Sequence, residues 1–194
     1  MDTFRYYLAL LLVCIFTPVI VYWPVIHGLI HFWRRVGLKL TNIVAFGGAR
    51  LVGVALFLLR DSVLAVDFGT NWLLSAVGTV CFFAAICIRV LLNRDVTTTL
   101  LTGLAELEPG ENPQPLVRTG LYAQVRNPRY VQMTLSLLGY ALMANYLASY
   151  VLLWVWLPAI YIIVRLEERE LLERYGVEYE AYILEVPRFL PKKG

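Results

Sequence analysis

Charge is scarce in this sequence. Asp, Glu, Lys and Arg make up 16% of its 194 residues, against about 25% in soluble domains, while hydrophobic residues reach 59% and mean hydropathy is +0.66. That balance excludes a soluble two-domain enzyme and leaves room for one membrane domain over residues 1–194. Metal-ligating residues are few as well. His27 and His31 stand at i, i+4 spacing, but no third ligand accompanies them, so no metal is expected. The three cysteines, Cys14, Cys81 and Cys87, sit apart inside apolar runs and read as small core residues, not a disulfide framework. A net charge of +3 with no basic block argues against nucleic acid as a partner. Gly-rich nucleotide fingerprints, nucleophile elbows, internal repeats and low-complexity segments are all missing.

Long apolar runs are what the sequence does have. A membrane helix needs about 20 such residues. Runs at about 4–30, 43–59 and 72–92 meet or approach that length, and the first is too long for a cleavable signal peptide. Pro18 and Pro24 are expected to kink it. From Tyr130 to Val164 there is no formal charge over 35 residues. As one helix this stretch would reach about 52 Å, well beyond a hydrocarbon core of about 30 Å, so it must fold in two. A turn near Asn145 gives spans at about 129–145 and 147–165. The expected fold is therefore all-α and polytopic, with five spans, a hairpin of spans four and five, and a C-terminal helical segment beyond the membrane.

The distribution of Lys and Arg fits this threading. Thirteen fall on one side, including Arg34, Arg118, Arg126, Arg129, Arg165, Arg169, Arg174 and Arg188, while only Arg5 and Arg60 fall on the other. Positive residues collect on the cytoplasmic side, so the N-terminus is expected outside and the C-terminus in the cytoplasm. Arg50 and Arg89 lie within spans and read as side chains that snorkel to the interface.

Chemistry is expected in two polar regions on the cytoplasmic face, 93–129 and 165–194. The first ends in Asn127-Pro128-Arg129-Tyr130, where Asn127 suits an N-cap and Pro128 the first helical position, giving a helix N-terminus able to receive an anion. In the second, a helical stripe of Ile163/Val164, Glu167/Glu168, Leu171/Leu172 and Tyr175 is interrupted by two carboxylates. Glu170, Glu173, Arg165, Arg169 and Arg174 occupy the other side as a solvated face with local pairs such as Glu170 with Arg174. Carboxylates facing a bundle at a membrane boundary are functional candidates. A hairpin leaving at Tyr130 and returning at Glu167 allots about 18 residues, about 27 Å, to each arm, which brings Glu167 back beside Asn127, Pro128 and Tyr130.

Several motifs between Pro113 and Pro191 carry a resemblance. They are Thr119-Gly120-Leu121-Tyr122, Val125-Arg126-Asn127-Pro128-Arg129-Tyr130, Glu167-Glu168, Tyr175-Gly176-Val177-Glu178-Tyr179-Glu180-Ala181-Tyr182 and Val186-Pro187-Arg188-Phe189. Together they resemble the isoprenylcysteine carboxyl methyltransferases, a group related to the phospholipid methyltransferases, in its short prokaryotic form. The family reads histidine where this chain has Asn127. The resemblance implies S-adenosylmethionine as methyl donor, S-adenosylhomocysteine as product, and the carboxylate of a prenylated C-terminal cysteine, presented among membrane lipids, as acceptor. It implies a cofactor site at Gln114, Pro115, Leu116, Val117, Tyr122, Asn127, Pro128, Arg129 and Tyr130. Glu167, with Glu168, falls at the substrate site, and Arg165 is a candidate to pair with the acceptor carboxylate.

Three other readings stay open. A phospholipid or other small-amphiphile methyltransferase would share the pocket; a sterol-reductase-like protein would use a nicotinamide cofactor, which the small size disfavours; and in a non-enzymatic scaffold or transporter subunit the two glutamates would only organise helices.

Overall fold

The computed structural model describes residues 1–95 and 115–191. Its elements are helical: α1 (Asp2–Gly28), α2 (Ile30–Val36), α3 (Leu38–Leu58), the single turn α4 (Arg60–Val63), α5 (Trp72–Asp95), a 3-10 turn (Gly120–Ala123), α6 (Pro128–Ala144), α7 (Leu147–Tyr175) and α8 (Val177–Glu185). No strand forms among the described residues, although one isolated bridge joins Asp67 to Tyr146. Asp2–Ile20, Leu40–Leu58, Trp72–Asn93 and Leu147–Tyr175 are long and apolar enough to cross a membrane. Their outward surfaces are correspondingly greasy: Leu51, Leu73 and Trp154 are each more than 70% exposed, a burden that lipid relieves and water does not. The chain is a multi-pass membrane protein.

Two boundaries differ from the sequence-based expectation. The first apolar run is interrupted at Leu29, where α1 gives way to the short α2. The last does not stop at 165: α7 continues unbroken through its charged segment to Tyr175, 29 residues and about 44 Å. Asn145, in the left-handed conformation at φ 55°, ends α6, and Tyr146 starts α7, so only these two residues connect them. With 17 residues, α6 is shorter than the four helices of membrane length.

The core lies where α1, α6 and α7 meet, with Leu12, Leu137, Trp156, Ile163 and Val164 each no more than 1% exposed. The Trp156 indole donates to Thr134 Oγ1 at 2.9 Å, so this buried N–H has its partner. On the far side of α6, α5 approaches closely. A Cβ on Gly139 would stand 2.7 Å from the Gly78 carbonyl oxygen and 3.0 Å from the Phe82 nitrogen, both backbone atoms that cannot swing away. Small residues at such a crossing replace the hydrophobic drive that lipid does not supply.

At the end away from the polar regions, Arg5 is only 1% exposed. Its Nε donates to the Ala144 carbonyl at 3.0 Å and its guanidinium pairs with Asp67 and, at 3.3 Å, with Asp2. Asn145 Nδ2 donates to the Gly69 carbonyl at 2.9 Å, and the Tyr150 hydroxyl donates to Asn145 Oδ1 at 2.7 Å. Partial burial disfavours the Asp67 carboxylate, but the Gly69 N–H and the Arg5 guanidinium outweigh it and hold its carboxyl below the usual range. This cluster pins the α6–α7 turn to α1.

The Gly78–Gly139 crossing makes a direct prediction. Gly139→Ala should cost about 1–3 kcal/mol through overpacking and lower the Tm in detergent by several degrees. Gly47→Ala in α3, where a Cβ meets nothing within 4 Å, should leave the Tm unchanged or raise it slightly.

Candidate functional site

The site is built from three pieces of chain that are distant in sequence. The first is the segment leading into α6, irregular over 115–118, extended at Thr119 and then turned by Gly120 at φ 58° into the 3-10 turn. The second is the charged end of α7. The third is α8 and the residues after it, which return to the first: the Arg126 N–H donates to the Pro187 carbonyl at 2.8 Å and the Asn127 N–H to the Arg188 carbonyl at 3.2 Å.

Glu168 joins all three. It is 5% exposed, and its Oε1 accepts from Arg126 Nε at 3.2 Å and Nη2 at 3.0 Å, while its Oε2 accepts from Arg188 Nη2 at 2.7 Å. The remaining nitrogen of the Arg126 guanidinium, Nη1, donates to the carbonyls of Ile183 at 2.8 Å and Val186 at 3.1 Å. The hydrogen bond to Glu168 pushes the Arg188 guanidinium above its ordinary pKa. Beside this cluster Tyr179 and Tyr182 are buried, and the Tyr182 hydroxyl donates to the Tyr122 carbonyl at 2.6 Å. Burial pushes the Tyr182 phenol up to about 12 and raises that of Tyr179 too, so both stay neutral donors.

Asn127 differs from the expected capping role. It stands at the N-cap of α6 with Pro128 at the first helical position, but its side chain makes no capping hydrogen bond. Its amide instead donates to Glu168 Oε1 and to the Arg188 carbonyl, each at 3.4 Å. A carboxylate with lone pairs to fill and a backbone carbonyl outcompete the helix N–H groups for this side chain.

In front of the cluster is a cleft. It is lined by Pro115, Leu116, Val117 and Tyr122 from the first piece, by Arg126, Asn127, Arg129 and Tyr130 around the start of α6, by Glu167, Leu171, Arg174 and Tyr175 from α7, and by Tyr179 and Tyr182 from α8. Glu167, Leu171 and Arg174 follow i, i+4, i+7 spacing, one face of α7. The Tyr130 hydroxyl donates to Glu167 Oε1. The Arg129 guanidinium lies over the Tyr130 ring, 5.2 Å from its centroid.

Of the residues expected at the site, Pro115, Leu116, Val117, Tyr122, Asn127, Arg129, Tyr130 and Glu167 share this cleft. Pro128 is buried beneath it, and Gln114 lies outside the described residues. Arg165 is exposed and does not line the cleft, because residues two apart on a helix face nearly opposite ways. Arg129 and Arg174 bring positive charge there instead. Glu168 serves the ion cluster behind the cleft rather than its surface. The sequence shows Arg126 and Arg188 as members of the positive side and of two of the motifs, with no role for either. A cation immediately before Asn-Pro was the one available signal. Among the described residues no group of three His, Cys, Asp or Glu could hold a metal.

These features define a membrane protein with a charged, aromatic cleft at one end of its helix bundle. Residues 73–178, more than half of the chain, match the family described as Phospholipid methyltransferase, and the chain belongs to that family. It is a membrane methyltransferase. No curated protein and no solved structure matches it. The matched stretch begins one residue into α5, so it includes a helix outside the motifs that carried the resemblance.

The cluster around Glu168 sets a stability difference between two carboxylates on one helix. Glu168→Gln leaves two guanidinium groups without their anion and should cost about 3–5 kcal/mol, seen as a large fall in Tm. Glu173→Gln removes only the exposed pair with Arg169, at 3.3 Å, and should cost about 0.5 kcal/mol or less.

Proposed function

We propose that this chain transfers a methyl group from S-adenosylmethionine to an anionic acceptor at the membrane boundary, the carboxylate of a prenylated C-terminal cysteine. The observation that carries the reading is the cleft itself, which sets a carboxylate, three guanidinium groups and several aromatic rings at the end of a membrane bundle. The donor set fits the cofactor. Tyr122 and Tyr175 offer aromatic faces for a purine, Pro115, Leu116 and Val117 an apolar wall, Arg129 or Arg174 a partner for an amino-acid carboxylate, and Glu167 a partner for positive charge. When bound, S-adenosylmethionine supplies a methyl group activated by its sulfonium charge and leaves as S-adenosylhomocysteine.

The chain's own residues then have modest chemical work. A carboxylate acceptor is ionised at neutral pH, so no strong general base is needed. Holding the acceptor in line and excluding water are the main contributions. Tyr130, fixed by core packing, orients Glu167 through their hydrogen bond. A phospholipid acceptor is the second reading, supported by the family's description. An amine headgroup would have to lose a proton, and Glu167 would then act as base.

In the membrane, α6 is proposed as a fifth crossing beside the four longer helices, with the cleft cytoplasmic and the N-terminus outside. At about 25 Å it matches a slightly thinned hydrocarbon core. Single cysteines at Ser62 and Glu178, in a background lacking Cys14, Cys81 and Cys87, should react with an impermeant maleimide from opposite sides of sealed vesicles. Reaction from the same side would remove a crossing from this arrangement.

Activity is tested by offering labelled S-adenosylmethionine with prenylcysteine and phospholipid acceptors in parallel. Prenylcysteine should be methylated and phospholipid not. Glu167→Gln should retain folding and cofactor affinity but lower turnover by at least about tenfold, or about 1.4 kcal/mol of transition-state stabilisation. Glu173→Gln should turn over like the unaltered chain. Equal turnover of the two variants would reduce Glu167 to a helix-organising residue.

A further inference from the structure

Burial along α5 follows a strict stripe. Gly78, Ala85 and Leu92 are buried, and Phe82 and Arg89 are half-buried between them at the intervening i+4 positions. The stripe faces α6, because Gly78 and Phe82 are the residues that Gly139 packs against and the Phe82 and Tyr140 rings lie 5.0 Å apart. Arg89 therefore points toward the bundle and is not a lipid-side residue reaching back to the interface. Arg50 in α3, by contrast, is exposed.

Register fixes its depth. Gly139 sits between Gly78 and Phe82, and α5 and α6 run antiparallel. Nine residues along α5 from that crossing lead to Arg89, and nine back along α6 lead to Tyr130, about 14 Å in either helix. Arg89 thus stands at the level of Tyr130 and Glu167, and the 3-10 turn that carries Tyr122 packs against α5 as well.

Arg89 differs from the other inward arginines. Arg5 meets Asp67 and Arg126 meets Glu168, whereas no hydrogen bond, ion pair or ring contact joins Arg89 to another described residue. A cation turned inward within a membrane-length helix is costly unless an anion meets it. Outward from Arg89, α5 exposes Phe83, Ile86 and Val90, an apolar surface continuous with lipid. An anion that carries an apolar chain would satisfy both surfaces together.

We propose that Arg89 binds the anionic headgroup, a carboxylate or phosphate, of an amphiphile whose chain lies along α5, and that this amphiphile is the methyl acceptor. The acceptor role rests on the methyl-transfer reading, while the anion site stands on the register and burial of α5. The headgroup is held by a charge-assisted, bidentate contact that a neutral headgroup cannot make.

The test uses the full chain in nanodiscs of zwitterionic lipid, with a pyrene-labelled long-chain carboxylate, the matching phosphate monoester and the matching alcohol as probes. The anionic probes should bind at least about tenfold tighter than the alcohol, and Arg89→Gln should abolish that preference, while Arg89→Lys keeps part of it and Arg50→Gln all of it. Free acetate or inorganic phosphate should not displace the probes. Arg89→Gln with its preference intact, an equal loss in Arg50→Gln, or displacement by the free anions would each overturn the assignment. On the methylated acceptor, Arg89→Gln should raise KM at least about tenfold with kcat within twofold and unchanged cofactor affinity. A lower kcat at constant KM would overturn the acceptor role. An Arg89-dependent preference for anionic probes in a chain that methylates nothing would overturn the methyl-transfer reading and leave the anion site standing.

Discussion

A single carboxylate holds the cleft end of the bundle together. Glu168 accepts from the guanidinium groups of Arg126 and Arg188, and through them it fixes the segment before α6 and the C-terminal tail after α8. Burying charges beside a membrane domain is expensive, and good pairing is what offsets the cost. Here Glu168 and Arg126 are buried against each other, while Arg188 pairs with Glu168 from a partly exposed position. Arg126 also caps the carbonyls of Ile183 and Val186 at the end of α8, and the Asn127 amide takes a further position on Glu168. The cleft in front inherits its shape from this cluster, because Tyr130 follows Asn127 by three residues and Glu167 precedes Glu168 by one.

The opposite end repeats the device with a different arginine. Arg5 puts a buried charge near the start of α1 that must be neutralised, and Asp67, the Ala144 carbonyl and the α6–α7 turn supply the partners. The turn has no slack, since Asn145 and Tyr146 alone connect two long helices. With the turn pinned to α1 and the helices rigid, the position of Glu167 relative to Tyr130 is set from both ends. A shift of one residue in α7 would rotate Glu167 by about 100° and move it off the cleft. The ion clusters therefore act on register as much as on stability.

Much of this was legible in the sequence. The burial of Ile163, Val164 and Glu168 follows the interrupted stripe of α7, and the Pro128 start of α6 was visible from local rules that need no tertiary information. What was not legible depended on partners far along the chain. Asn127 reads as a cap by its position, yet its actual acceptors are 41 and 61 residues away. Arg126 and Arg188 looked like two of many positive residues at the boundary, because nothing local marks an arginine that will be buried. Arg165 attracted a role by nearness to Glu167 in sequence, which on a helix places it on the wrong face. Arg89 read as a snorkelling residue because it lies close to the end of its span; only the packing of Gly78, Ala85 and Leu92 shows that its stripe faces inward.

Glu167 and Glu168 show how a membrane-boundary helix divides two identical groups between structure and chemistry. Adjacent residues on a helix differ by about 100°, so one looks into the cleft and the other behind it. Behind it, Glu168 meets two guanidinium groups and an amide, and every lone pair is committed. In the cleft, Glu167 accepts from the Tyr130 hydroxyl and shares the lining with Arg129 and Arg174. Removing the charge at 168 therefore acts on the fold, and removing it at 167 acts on what the cleft can orient. The two positions divide the work because neither geometry can serve both purposes: a carboxylate saturated by two arginines cannot face the cleft, and one turned into the cleft cannot anchor the tail.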